Sequence, residues 1–201
     1  MNDALKRLRP WAFPLVVSVL ALFFQATGLD LTLRYDREAI QHGAWWLLLT
    51  GNLVHLSWGH VVLNLAGLWM VWWFFIGEFP DRQWLVIFVV SGLFVTTGLY
   101  LFNPRLIWYV GLSGLLHGLF IAGGLKLLFS DFRFAAALLV VIVAKLAYEQ
   151  TVGSMPGTSE MSGGPVVVNA HLFGSIGGLA AFLLLEAGKR ITGRRLHHES
   201  S

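Results

Sequence analysis

The sequence predicts an all-α membrane protein, a bundle of six spanning helices, and three observations carry that prediction. Hydrophobic residues fill 56% of the 201 positions and charged residues 12%, with mean hydropathy +0.68. A soluble domain of this length cannot bury that much apolar surface, whereas a spanning bundle turns it toward lipid. Six apolar stretches approach the roughly 20 residues a span needs: about 11–29, 58–76, 83–102, 112–130, 133–150 and 169–187. Basic residues gather at the ends of these stretches, as orientation in a membrane requires. The net charge of +3 and pI near 9.5 are therefore a matter of topology rather than of nucleic-acid binding. No cysteine is present, which excludes disulfides, thiolate metal sites and a cysteine nucleophile.

The first stretch, from Trp11 to Leu29, follows Lys6, Arg7 and Arg9. It is too long for the core of a signal peptide and lacks a convincing cleavage site, so it reads as a retained span. With those three cations inside, six spans return the C-terminus to the same side, where Lys189, Arg190, Arg194 and Arg195 agree. The connections Gly77–Arg82 and Ser130–Arg133 fall inside too, each with an arginine. The whole chain, 1–201, reads as one domain, with a short basic stretch 1–10 and a tail 188–201 in the cytoplasm.

Three connections lie outside. The first, about Asp30–Ser57, holds Trp45-Trp46-Leu47-Leu48-Leu49 and reads as a partly inserted hairpin with its tryptophans at headgroup level. The second is Asn103–Val110. The third, near Thr151–Val168, mixes glycine, serine and proline with two methionines. It reads either as a mobile flap with an apolar side chain to dip into a cavity or as an ordinary exposed connection.

The fourth and sixth spans are rich in glycine: Gly111, Gly114 and Gly118 in one, Gly174 and Gly178 in the other. Small residues at helical spacing let two backbones approach closely in lipid, so these helices are expected to cross in contact. That crossing brings Ser113 and His171 to the same depth, at the outer ends of their helices. Serine becomes a nucleophile when a base within hydrogen-bond reach takes its proton, and imidazole suits that task at neutral pH. No aspartate or glutamate stands near His171 in the reading of the spans, so a Ser-His dyad is expected. His117 lies one turn after Ser113 and is placed to stack on His171. His60 and Asn64, four apart, share a helix face, and with the Ser113 N–H at a helix start they offer donors for an oxyanion. His55 reads as an anchor in the loop before that helix.

Blander readings stand beside these. Gly-x-Ser-Gly in a membrane helix is commonly packing, and a membrane histidine is often a structural hydrogen-bonder or proton relay. Four histidines could bind metal, but they lack the His-Glu-x-x-His spacing and no carboxylate joins them in the sequence, so no metal or cofactor is expected. Lys145 and Glu149 read as an i, i+4 structural ion pair, and Lys126 as a snorkelling side chain. An inactive membrane binding protein and a small transporter with a polar midplane site remain rival classes.

His55-x4-His60-x3-Asn64, Gly111-x-Ser113-Gly114 and Ala170-His171-x2-Gly174-x3-Gly178, in this order, resemble the rhomboid family of intramembrane serine proteases. The resemblance implies Ser113 as nucleophile and His171 as base. It implies His60, Asn64 and the Ser113 N–H as oxyanion donors, and a gate over about 133–168. The chain departs from the family in two places. Trp46-Leu47 stands where Trp-Arg is common, and His117 stands where many members have tyrosine. The second variant, in a compact chain, resembles the rhombosortase subgroup. That implies substrates that are secreted proteins ending in a Gly-Gly motif, a hydrophobic span and a basic tail. It also implies a bacterial inner membrane and an active site facing the periplasm. The runner-up is a general rhomboid acting on other single-span proteins.

Overall fold

The computed structural model describes residues 11–199, with side chains described through residue 190. Lys6, Arg7 and Arg9 lie outside the described residues, as do the side chains of Arg194 and Arg195. Helix α1, Ala12–Thr27, ends at Gly28, whose φ of 67° provides the left-handed cap. Between Leu29 and Ser57 the chain forms short helices α2 (Asp30–Leu33), α3 (Arg37–Gln41) and α4 (Leu47–Thr50), with strand β1 (Tyr35–Asp36) between the first two. Five longer or functional helices follow: α5 (Trp58–Phe75), α6 (Asp81–Phe102), α7 (Ser113–Leu127), α8 (Phe132–Thr151) and α10 (Val168–Glu199). Strand β2 (Trp108–Tyr109) precedes α7, and the short α9 (Thr158–Ser162) lies between α8 and α10.

These bounds match the expected stretches to within a few residues, except that α10 runs well past the expected end at 187. Among the described residues, three helices are long and apolar enough to cross a membrane: Trp58–Phe75, Asp81–Phe102 and Val168–Arg190. Helices α1 and α7 are apolar but shorter, and α8 carries Arg133, Lys145 and Glu149. Local chemistry sets the starts. Ser57 caps α5 by accepting from the His60 N–H at 3.1 Å, Asp131 caps α8 from Phe134 at 3.2 Å, and Pro80 precedes α6.

The first loop is more than a hairpin folded on itself. Its strand β1 pairs antiparallel with β2, Tyr35 opposite Tyr109, so it is tied to the connection that leads into α7. The loop also holds an arginine the motif comparison did not anticipate. Arg37 donates to the carbonyls of Leu99, Tyr100, Asn103 and Leu106 at 2.9–3.0 Å, satisfying the open end of α6. Trp45 and Trp46 stay exposed, at 71% and 61%, as side chains for a lipid interface would be.

Helix α7 is the centre of the bundle, with nearly every side chain buried and α5, α6, α8 and α10 around it. Its glycines meet those of α10 backbone to backbone. A Cβ added at Gly174 or Gly178 would run into the carbonyl oxygen of Gly114 or Gly118. One at Gly114 would lie 2.8 Å from the Ala170 oxygen. The expected crossing of the fourth and sixth apolar helices is therefore present, and α6 backs it through Ser91 and Val95. At the end of α7 away from Ser113, Lys126 lies 3.8 Å from Glu186, an ion pair where the sequence suggested only a snorkelling side chain.

Candidate active site

The glycine crossing sets the distance between two helix starts. Ser113 is the first residue of α7 and His171 lies in the first turn of α10. The serine Oγ stands 2.9 Å from His171 Nε2, across 58 positions of sequence. The approach to Ser113 is held from several sides. Tyr109 Oη donates to the Gly111 carbonyl at 2.8 Å, and the Gly111 N–H donates to Gly51 at 3.1 Å. Gly111 itself has a φ of 127°, and a Cβ there would lie 2.8 Å from His60 Cε1, so both conformation and space call for glycine.

The other face of His171 corrects the dyad expectation. Its Nδ1 lies 2.7 Å from Oε2 of Glu149, whose side chain is 2% exposed. The carboxylate comes from the last turns of α8, which pack against the start of α10. The sequence argument paired Glu149 only with Lys145 on its own helix. That pair exists, at 2.6 Å between Nζ and Oε1, but it uses only one of the two carboxylate oxygens. Lys145 Nζ is also 3.0 Å from His117 Nε2, and His117 Nδ1 is 2.7 Å from the Ser113 carbonyl oxygen. The His117 ring stacks on His171, centroids 4.2 Å apart and planes within 13°, as expected.

The donors and acceptors of this ring of contacts can be assigned by elimination. An ammonium only donates, so His117 Nε2 accepts and its Nδ1–H donates to the Ser113 carbonyl. A carboxylate only accepts, so His171 carries its proton on Nδ1 and leaves Nε2 with a lone pair toward the serine hydroxyl. That is the tautomer a general base for Ser113 requires.

His60 and Asn64 project from α5 into the same cavity as Ser113 and His171. The Leu56 N–H donates to His60 Nδ1 at 3.4 Å, which leaves the Nε2–H on the side of Gly111. Asn64 Nδ2 is buried and has no acceptor among the described residues. His55 is not in the cavity. It is 1% exposed and packs its edge on His60, centroids 5.0 Å apart, and so supports that ring rather than anchoring the loop alone. Burial, with His60 beside it, pushes the His55 pKa down to about 3 and keeps it neutral.

The histidines do not gather into one cluster: His55 pairs with His60, and His117 with His171. Ligating atoms of His117, Glu149 and His171 do lie within 4.8 Å of one another, so the expectation that no carboxylate joins the histidines is corrected. The Lys145 ammonium already bonds both His117 and Glu149 at that place, which opposes a second cation there.

The cavity encloses about 610 Å³. Asn64 and Gly67 of α5, Phe120 of α7 and Ile142 of α8 line it, and Pro165 to Val167 close one side. Thr158 and Ser162, between α8 and α10, reach it, whereas Met155 and Met161 do not line it, and Met161 is 57% exposed. The connection is docked rather than loose, since Ser57 Oγ donates to the Ser162 carbonyl at 3.0 Å. Sequence reasoning missed Glu149 as a partner of the base. The signal was present: Glu149 and His171 end and begin consecutive apolar stretches, so they lie at one level.

The rhomboid domain matches residues 42–187. The chain is 25% identical over 190 residues to a Bacillus subtilis (strain 168) protein described as "Putative rhomboid protease YdcA", a match spanning 89% of this chain and 92% of that one.

Proposed function

This chain belongs to the rhomboid family of intramembrane proteases, and from that premise we propose that it is a serine endopeptidase in which Ser113 attacks and His171 is the base. The observation that carries the reading is the 2.9 Å contact of Ser113 Oγ with the unprotonated nitrogen of His171, beside a cavity. The Ser113 hydroxyl gives its proton to His171 Nε2 as Oγ bonds to the scissile carbonyl carbon. The carbonyl π electrons move to oxygen, where Asn64 Nδ2, His60 Nε2–H and the Ser113 N–H donate. Collapse of this intermediate breaks the C–N bond, and the departing amine takes the proton from Nε2. Water then repeats the sequence on the acyl-serine.

The full architecture we propose is six spans with both termini cytoplasmic and the cavity opening to the periplasmic side of a bacterial inner membrane. A 15-residue α7 covers about 22 Å, short of the roughly 30 Å hydrocarbon core. The segment before it is then irregular backbone at membrane depth, tolerated because it is enclosed by protein and lines a cavity. Substrates of the proposed class are membrane-anchored proteins whose C-terminal signal joins a Gly-Gly motif to a span and a basic tail. Hydrolysis needs an unwound backbone, and glycines at a helix end make unwinding cheap. His117, in place of tyrosine, favours this rhombosortase-like class over a general rhomboid. Transfer of the acyl group to an amine instead of water is a further outcome this chemistry allows.

The test is a serine-directed fluorophosphonate on the intact protein with Ser113→Ala as control, followed by cleavage of a chimera bearing the Gly-Gly signal. Labelling that depends on Ser113 and cleavage near the glycines are expected. No labelling would leave an inactive binding protein or a transporter. Labelling with cleavage only of other single-span proteins would place the chain with general rhomboids.

A further inference from the structure

We propose that Glu149 and Lys145 are positioning residues for the base: the carboxylate holds His171 in the Nδ1–H form, and the ammonium balances that carboxylate while fixing His117 beneath the ring. The proposal rests on the assignment of Ser113 and His171 above. A buried carboxylate is costly unless paired and fully hydrogen-bonded, and Glu149 meets both conditions by dividing its oxygens between two partners. A structural i, i+4 pair accounts for the Lys145 contact but not for the 2.7 Å contact with His171. Nor does it account for the second bond from Lys145, to His117.

The contacts form a closed circuit of Ser113, His171, Glu149, Lys145 and His117, returning to the Ser113 carbonyl. Charged and titratable groups face His171 from three elements: His117 on α7, Lys145 and Glu149 on α8, and His60 on α5. The charges balance at each stage. At rest the carboxylate and ammonium cancel. During attack the imidazolium gains one positive charge as the oxyanion gains one negative, so a site of low dielectric never holds an uncompensated unit. Without Lys145 the resting site would carry the carboxylate alone.

The test compares Glu149→Gln and Lys145→Met in the full chain, on protein that is monodisperse and unfolds cooperatively in detergent. Glu149→Gln is expected to lower kcat by up to about 10⁴-fold with KM little changed, the loss seen when the acid behind a catalytic histidine is removed. Lys145→Met is expected to lower kcat in the same direction by less. Nitrogen-15 histidine spectra, taken in a Ser113→Ala background, are expected to show one Nδ1–H tautomer for His171 that becomes mixed with Glu149→Gln. Full kcat in folded Glu149→Gln protein would overturn the proposal, and so would a lost kcat with an unchanged His171 tautomer. The spectra do not depend on turnover. Absent labelling of Ser113 together with the tautomer change would therefore sink the nucleophile alone and leave the positioning role standing.

Discussion

Replacing Gly174 with alanine tests whether the α7–α10 crossing sets the catalytic distance. The new methyl would sit inside the van der Waals envelope of the Gly114 carbonyl, which is backbone and cannot swing aside. Relief requires α7 and α10 to part by about 1 Å or more, since carbon and oxygen settle near 3.4 Å. Gly114 follows Ser113 directly, and Gly174 lies within one turn of His171. Most of that separation is therefore transmitted to the 2.9 Å contact, which leaves hydrogen-bond range. A misplacement of about 1 Å at a reacting pair costs roughly 10²-fold in rate, and overpacking costs a further ~1–3 kcal/mol of stability. The assay is the fluorophosphonate labelling rate of the folded fraction, with thermal unfolding measured in parallel. Gly188→Ala, far from the α7–α10 crossing, is the control, because a Cβ there meets no atom of the described residues within 4 Å. A Gly174→Ala protein that labels at the unsubstituted rate would refute the argument that backbone contact sets the geometry.

Three further outcomes are expected. Asn64→Ala removes the buried, unpartnered donor and should lower kcat by about 10²–10³-fold, read from steady-state cleavage; an unchanged kcat would remove Asn64 from the oxyanion site. Activity should fall in acid, because a proton on His171 Nε2 removes the acceptor of the serine proton, and His55, held near 3, stays neutral throughout. A rate that stays flat down to the onset of acid unfolding would argue for another base. Arg37→Ala removes the side-chain donor from four carbonyls at and just after the end of α6, two of which (Leu99 and Asn103) keep a backbone N–H partner, and should lower stability by about 1–3 kcal/mol, with faster proteolysis of residues 30–57. Unchanged melting and proteolysis would show that the strand pairing alone secures the loop.

Helix positions were legible because apolar length and glycine spacing are local properties of the chain. The contact of Ser113 with His171 was legible for a related reason. Glycines four apart on two helices define one face on each, and only one alignment puts both polar residues at a common level. Glu149 escaped because its sequence neighbour Lys145 offered a sufficient local explanation, and nothing local reports that a carboxylate has a second oxygen in use. Arg37 escaped differently. Its role depends on where α6 ends, and the two-residue strand pairing that brings the loop there is too short to leave a periodic pattern. The methionines between α8 and α10 left a flap and an ordinary exposed connection equally open, and the residues of that connection that line the cavity are Thr158, Ser162 and Pro165 to Val167.

Glu149 rides on α8, and α8 with α5 flanks the cavity, the two meeting through the rings of Phe74 and Phe134 at 5.9 Å. If substrate enters past α8, within the gate that the family resemblance implies over about 133–168, a guest helix presses on the same element that aligns the imidazole. Admission and chemistry then share one moving part. Bolting α8 to α5 would sharpen the alignment of the base while slowing capture, and loosening it would do the reverse. Rate and affinity would trade against each other along a single mechanical coordinate. An idle enzyme surrounded by other membrane proteins would thus be restrained by the same helix that arms it.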